Sequence, residues 1–202
     1  MKCAAVFGSP RDGNSDVLAE EFLLEAERLG AVVERYSLRT MKFTGCIGCM
    51  ACKDGRAEAC ILDDDLTPVL ASIAAADIVL LATPVYFRDV SWLLKACLDR
   101  WYGFFGYTEG ECDLRIPAGK KMVFVVTQNM PREYLNDMMR KYNTTFMQLG
   151  FDKMYPVRGC EVGDEPDAVL GRDDLLVLAR ETAAVVMAGR VSPADLPVYH
   201  FG

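Results

Sequence analysis

The sequence predicts an α/β fold in three layers: a five-stranded parallel sheet of order 2-1-3-4-5 with helices on both faces. Three observations predict it. Strand-like runs alternate with amphipathic helical stretches five times. One run, Ile78–Ala82, is apolar without interruption, as a central parallel strand covered on both faces must be. The chain also opens on a buried strand, a tight loop and a helix, the start of a right-handed crossover.

The elements follow in order. Lys2–Phe7 is an apolar strand, and Gly8–Ser15 is a small, polar loop. Val17, Leu18, Phe22, Ala26 and Leu29 then recur at helical spacing, with charged residues between them, and Gly30 closes that helix. Ala31–Leu38 is the second strand. Phe43–Leu62 has no periodicity and is rich in glycine and cysteine, so it reads as a loop with its own organisation. Asp63–Asp65 begin a helix through Ala75, three acids suited to a helix N-terminus. Asp77–Thr83 is the third strand and Thr83–Asp89 a loop. Ser91 caps the next helix, with Leu94, Cys97, Leu98 and Trp101 on its apolar face and Lys95, Asp99 and Arg100 as polar positions. Tyr102–Pro117 is a long connection, aromatic and then acidic. Met122–Val126 is the fourth strand, Leu135–Leu149 a helix, Phe151–Val157 a less apolar edge strand, and Asp173–Ala188 the last helix. The tail, 191–202, is expected to lie extended along the surface. No linker or repeat divides the chain, so 1–202 reads as one domain.

Composition narrows the function. Half of the residues are hydrophobic, enough for a sizeable core. The net charge of −7 disfavours nucleic acid and membrane surfaces as partners. No apolar run approaches the length of a membrane span, and Met1 leads directly into a core strand; a cytoplasmic address is expected. Eight cysteines in such a compartment are thiols, ligands or redox groups rather than structural disulfides. The single histidine, His200, lies in the tail, which removes histidine-based nucleophilic triads from consideration.

The first loop is built for an anion. It empties onto a helix N-terminus, where free N–H groups and the helix dipole favour negative charge. Ser9, Asn14 and Ser15 add hydroxyl and amide donors, and Arg11 adds a cation. The plainer alternative is a strand–turn–helix with Asn14 as N-cap. Neither the Walker lysine nor the third glycine of the dinucleotide fingerprint is present. Gly8-Ser9-Pro10-Arg11 followed by Gly13-Asn14-Ser15 resembles the FMN-phosphate loop of the NADPH-dependent FMN reductases, a flavodoxin-like family. In a sheet of order 2-1-3-4-5 the ligand crevice lies at the switch point between strands 1 and 3, where flavodoxin holds FMN. The loop after strand 3 must then also suit the flavin. It reads Thr83-Pro84-Val85-Tyr86-Phe87: Pro84 stiffens it, backbone N–H groups beyond can face the ring, and Tyr86 or Phe87 can lie along it. The same loop and the helix Leu94-Lys95-Ala96-Cys97-Leu98-Asp99-Arg100 resemble the family. Arg88 departs from it, since a small residue is usual after the aromatic pair. Thr127-Gln128-Asn129, after strand 4, opens on the same rim.

Cys46, Cys49, Cys52 and Cys60 form a second motif, four thiols in fifteen residues. Three at a period of three with one remote suit the corners of a cubane, and Gly55 lets the intervening chain fold back. Zinc, which takes ligands in separated pairs, suits the spacing less well. Free thiols or a redox-active Cys-x-x-Cys pair remain the alternatives. On this scaffold the motif resembles the iron–sulfur flavoprotein branch of the same family, which implies one [4Fe–4S] cluster. Following strand 2, the loop is expected to leave the sheet edge that carries the flavin loops. Cys3 and Cys97 are expected to be small core hydrophobes.

The resemblance implies an FMN-dependent oxidoreductase that takes electrons from NAD(P)H to a flavin, a quinone or a redox protein. The alternative is an electron carrier without a small-molecule substrate. It also implies a homodimer or homotetramer, with Trp101–Tyr107 as an interface anchor that a monomer would leave uncovered.

Overall fold

The structure is a computed structural model of the chain and describes residues 1–108 and 111–189; the tail with His200 lies outside the described residues. The elements are β1 (Lys2–Phe7), α1 (Asn14–Arg28), β2 (Val32–Ser37), α2 (Leu66–Ala75), β3 (Ile78–Tyr86), β4 (Asp89–Val90), α3 (Trp92–Arg100), β5 (Phe105–Thr108), β6 (Glu111–Leu114), β7 (Lys120–Gln128), α4 (Asn136–Gln148), β8 (Phe151–Cys160) and α5 (Asp173–Ala188). The main sheet runs β2-β1-β3-β7-β8, parallel throughout, which is the predicted order. β8 is the edge strand, as its lower apolar content indicated.

Alternation along the strands sends successive side chains to opposite faces and so builds two cores. Ala4, Val6, Val79, Leu81, Phe124 and Val126 face α2, α3 and α4. Cys3, Ala5, Ile78, Leu80, Val123 and Val125 face α1 and α5. Cys3 and Cys97 are buried in these cores, and burial pushes both thiols up to about 12, so neither ionises at neutral pH.

Two expectations about connections are corrected. Thr83–Asp89 is not a plain loop: β3 continues to Tyr86 and pairs antiparallel with β4, leaving Phe87 and Arg88 as a two-residue turn. Both have positive φ, 47° and 68°, as such a hairpin demands, although neither is glycine. The connection after α3 also carries an antiparallel pair, β5 with β6. Nor is the aromatic stretch after α3 left uncovered. Trp101 and Phe104 are buried, with Trp101 packed on Phe104, Phe146 and Phe151 at ring separations of 5.7–6.1 Å. These two aromatics feed the chain's own core, because α4 and β8 return over them, while Tyr102 stays exposed.

Candidate functional site

The loop between β1 and α1 is shaped by close packing. Gly8 donates to Ala82 O at 2.8 Å, joining β1 to β3. A Cβ on Gly8 would stand 2.7 Å from Leu94 Cβ, so only glycine lets α3 approach this closely. The Ser91 hydroxyl donates to Gly8 O and accepts from Leu94 N at 3.1 Å, capping α3 as expected. Ser91 N in turn donates to Thr83 Oγ1 at 3.0 Å. The first loop, the end of β3 and the start of α3 are therefore one hydrogen-bonded unit.

Within the loop, Ser9 Oγ donates to Arg11 O at 2.5 Å and accepts from Arg11 N at 3.3 Å, which folds the segment into a turn. Arg11 is exposed and donates to Asp164 O at 3.1 Å. Asn14 is not the N-cap of α1; that position is Gly13, with no side-chain cap bond. The Asn14 amide instead bridges to the segment after β8, donating to Glu165 O at 2.7 Å and accepting from Val169 N at 2.9 Å. Asn14 and Ser15 can therefore meet an anion through their backbone N–H groups, which have no carbonyl ahead of them in the helix. Arg39 holds the loop from the other side, paired with Asp12 and, at 2.8 Å, with Asp16. Burial drives the Asp16 carboxyl up to about 6 despite that arginine.

Every residue predicted to hold the cofactor lines one cleft of about 430 Å³: Ser9, Arg11, Asn14 and Ser15 from the first loop, Pro84–Phe87 from the hairpin, and Thr127 from the end of β7. The volume is that of an ordinary cofactor site. Phe87 is fully exposed at the hairpin tip and Tyr86 is 42% exposed, so both present apolar surface at its mouth. Arg88 is turned towards α4, donating to Tyr134 O at 3.2 Å and lying 3.3 Å from Asp137 Oδ2. Two walls escaped the sequence reading, one of Met130, Tyr134 and Leu135 and one of Val162, Gly163 and Asp164. Buried Arg158 shapes the first, donating to Gln128 Oε1, Asn136 Oδ1 and Arg132 O. Gly163, with φ of 81°, was the sequence signal for a turn at the second.

The cysteine loop starts from the sheet edge expected of it and then runs along α3 away from the cleft. It leaves β2 at the cleft edge, but Gly45 packs on Ala96 of α3, and all four cysteines line a small cavity with Arg100, Tyr102 and Gly103. Arg100 ends α3, nine residues beyond Ser91 or about 14 Å along the helix axis, and Tyr102 and Gly103 follow it. Cys46 and Cys49 are exposed, Cys52 and Cys60 half-buried, and buried Ala51 anchors the stretch between them. Gly48 N points at Cys46 Sγ at 3.5 Å, and Gly55 folds back with φ of 82°. Among the described residues no three His, Cys, Asp or Glu side chains converge as one metal ion would require. A cubane binds each thiolate at its own corner, so four thiols spread around one cavity suit the donor demand of a cluster better than that of a lone ion.

Arg100 is the residue here that sequence reasoning missed. It reads as a polar helix position, yet its side chain has no exposed surface. It donates to Cys60 Sγ at 2.9 Å, Thr44 O at 3.0 Å, Leu62 O at 3.0 Å and Asp64 Oδ2 at 2.8 Å. Burial would raise the Asp64 carboxyl, but the Arg100 pair and backbone donors hold it below the usual carboxylate range.

Comparison with known proteins agrees with this geometry. The family model described as NADPH-dependent FMN reductase matches residues 1–138. An iron-sulfur flavoprotein of Archaeoglobus fulgidus is 29% identical over 171 residues, covering 82% of this chain and 73% of the relative. One of Methanocaldococcus jannaschii is 38% identical over 101 residues, 50% of this chain and 51% of that one, so the chain spans only about half of that relative. In fold, the NAD(P)H:quinone oxidoreductase from Methanothermobacter marburgensis superposes with a TM-score of 0.74 at 20% identity, over 91% of this chain and 97% of that one. No described helix is long and apolar enough to cross a membrane. With the motif, the sheet order and the cleft in agreement, the chain belongs to the NADPH-dependent FMN reductase family.

Proposed function

We propose that the protein binds FMN in the cleft between β1 and β3 and uses it to pass electrons from NADH or NADPH to an acceptor. One observation carries this reading: the helix-α1 N-terminus, the Pro84–Phe87 hairpin and Thr127 line a single cleft at the switch point of the sheet. The first loop takes the phosphate on the backbone N–H groups of the α1 N-terminus, with Ser9 and Arg11 beside it. Backbone N–H groups beyond Pro84 would be available to the polar edge of the ring, and Tyr86 and Phe87 to its apolar surface. FMN held there would supply the hydride-accepting and one- or two-electron chemistry, so no side chain needs to act as acid or nucleophile. An open mouth leaves room for a nicotinamide to stack and then for the acceptor, whether a flavin, a quinone or a redox protein.

Cys46, Cys49, Cys52 and Cys60 are assigned to one [4Fe–4S] cluster, on their shared cavity and thiol donor set. That motif favours a second reading, an electron carrier without a small-molecule substrate. A homodimer or homotetramer is expected, with the exposed Tyr86 and Phe87 of the cleft and the exposed Trp92 at the start of α3 available to a second subunit. The test is anaerobic mixing of the FMN-loaded protein with NADH or NADPH. Rapid bleaching of the flavin is expected. No bleaching by either nucleotide, with rapid reduction by a ferredoxin-like protein, would replace the enzyme by the carrier.

A further inference from the structure

Arg100 is a fixed cation with no exposed side-chain surface, and it touches the cysteine loop at both ends. Thr44, just before Cys46, and Leu62 and Asp64, just after Cys60, all accept from its guanidinium. The planar fork is what allows this: Nη1 and Nη2 bind the two stems while Nε is left for the sulfur of Cys60. Gly103, one turn on, approaches Cys60 N so closely that a Cβ there would stand 3.3 Å away, which keeps Cys60 pressed against the end of α3. Asp64, bonded also to Thr44 N at 3.3 Å and Leu66 N at 3.1 Å, is the carboxylate paired with that buried charge. Other cations that reach the loop, Lys53, Arg56 and Arg115, bond to backbone carbonyls or to Asp54.

We propose that Arg100 is a positioning residue for the metal centre: it clamps the two stems of the cysteine loop into one site, and its hydrogen bond to the Cys60 sulfur raises the reduction potential of the centre held there. The inference rests on the cluster assignment above and adds what this chain does to the cluster. The N–H that the guanidinium donates to a ligand sulfur stabilises the extra electron of the reduced centre, and low local polarity enlarges the effect. The aspartates around the stem, Asp63–Asp65, act in the opposite sense, so the potential reflects the balance between them and Arg100. A flexible lysine at the same position would keep the charge but could not span both stems and the sulfur together.

The experiment compares wild type, Arg100→Lys and Arg100→Gln, each prepared without oxygen with iron and sulfide supplied. Iron and acid-labile sulfide are assayed, iron loss to a chelator is timed, and the cluster potential is read by EPR during dithionite titration. Circular dichroism and FMN stoichiometry serve as controls for folding, since the FMN cleft lies at the other end of α3. The expected result is cluster assembly in wild type, iron loss at least several-fold faster in both variants, and a lower potential in the order wild type, Arg100→Lys, Arg100→Gln. Loaded variants with wild-type potential and iron retention overturn the inference and leave the cluster assignment standing. A wild type that takes up no iron under these conditions overturns both. Hydrogen exchange of residues 41–65 in metal-free protein covers the case in which Arg100→Gln folds poorly: faster exchange in Arg100→Lys supports the clamp, and unchanged exchange refutes it.

Discussion

Replacing Gly8 by alanine tests the joint between the two flavin loops. The added Cβ would lie 2.7 Å from Leu94 Cβ and 3.2 Å from Ala82 O. Gly8 is not at positive φ, so the cost lies in the contact rather than in the backbone. Neither neighbour is the free end of a side chain. Leu94 is fully buried on α3, and Ala82 O already accepts from Gly8 N at 2.8 Å. Helix α3 or strand β1 must therefore move, and overpacking of this kind costs about 1–3 kcal/mol. For a chain of this size that lowers Tm by roughly 2–12 °C. The same movement disturbs the Ser91 bond to Gly8 O, which ties the phosphate loop to the start of α3. FMN affinity should fall along with stability. Thermal melts by circular dichroism, with and without FMN, and quenching of flavin fluorescence measure the two effects. A variant with unchanged Tm and unchanged FMN affinity would show that α3 does not gate the loop, and the account of Gly8 would fail.

Arg11→Ala should weaken FMN binding by about 1.5–3 kcal/mol, the worth of a hydrogen bond to a charged group, and leave riboflavin, which has no phosphate, unaffected; equal losses for the two flavins would remove the arginine from the phosphate site. Asp16 should make stability fall as pH rises. Its folded value of about 6 exceeds the ordinary 3.8, so the folded state binds the extra proton and the penalty is absent below about pH 4 and complete above about pH 6. Chemical denaturation of wild type and Asp16→Asn should therefore show the difference between them shifting in favour of the asparagine across that window, and a flat difference would refute the assignment. Cys49→Ser should abolish iron uptake in anaerobically reconstituted protein and leave FMN bound; retention of about four irons per chain would exclude that thiol as a ligand.

The fold and the residues that line the candidate cleft were legible because their signals are local. Strand runs, helical spacing, the small polar loop at Gly8–Ser15 and the proline after β3 each act within a few residues, and the chirality of crossovers then leaves few ways to arrange five strands. Phosphate binding at a helix start is likewise a property of the backbone, so the loop could be read without knowing what surrounds it. What α3 does at its far end could not be read in that way. Arg100 is one of three polar residues on an amphipathic helix, and nothing within its own turn distinguishes it from Lys95 or Asp99. Its partners lie 36 to 56 residues earlier in the chain, and only the return of the cysteine loop along α3 removes the guanidinium from water. Asn14 is the same case in reverse. Its type and position suggest an N-cap, but the segment after β8, more than 150 residues on, captures its amide. Trp101 reads as an exposed anchor until α4 and β8 close over it. The sequence by itself thus determined the sheet order, the strand–loop–helix start and the grouping of four thiols. The tertiary structure alone decided which charges are buried and where the thiols sit relative to the cleft, because burial and partnership depend on chain segments that no local pattern specifies.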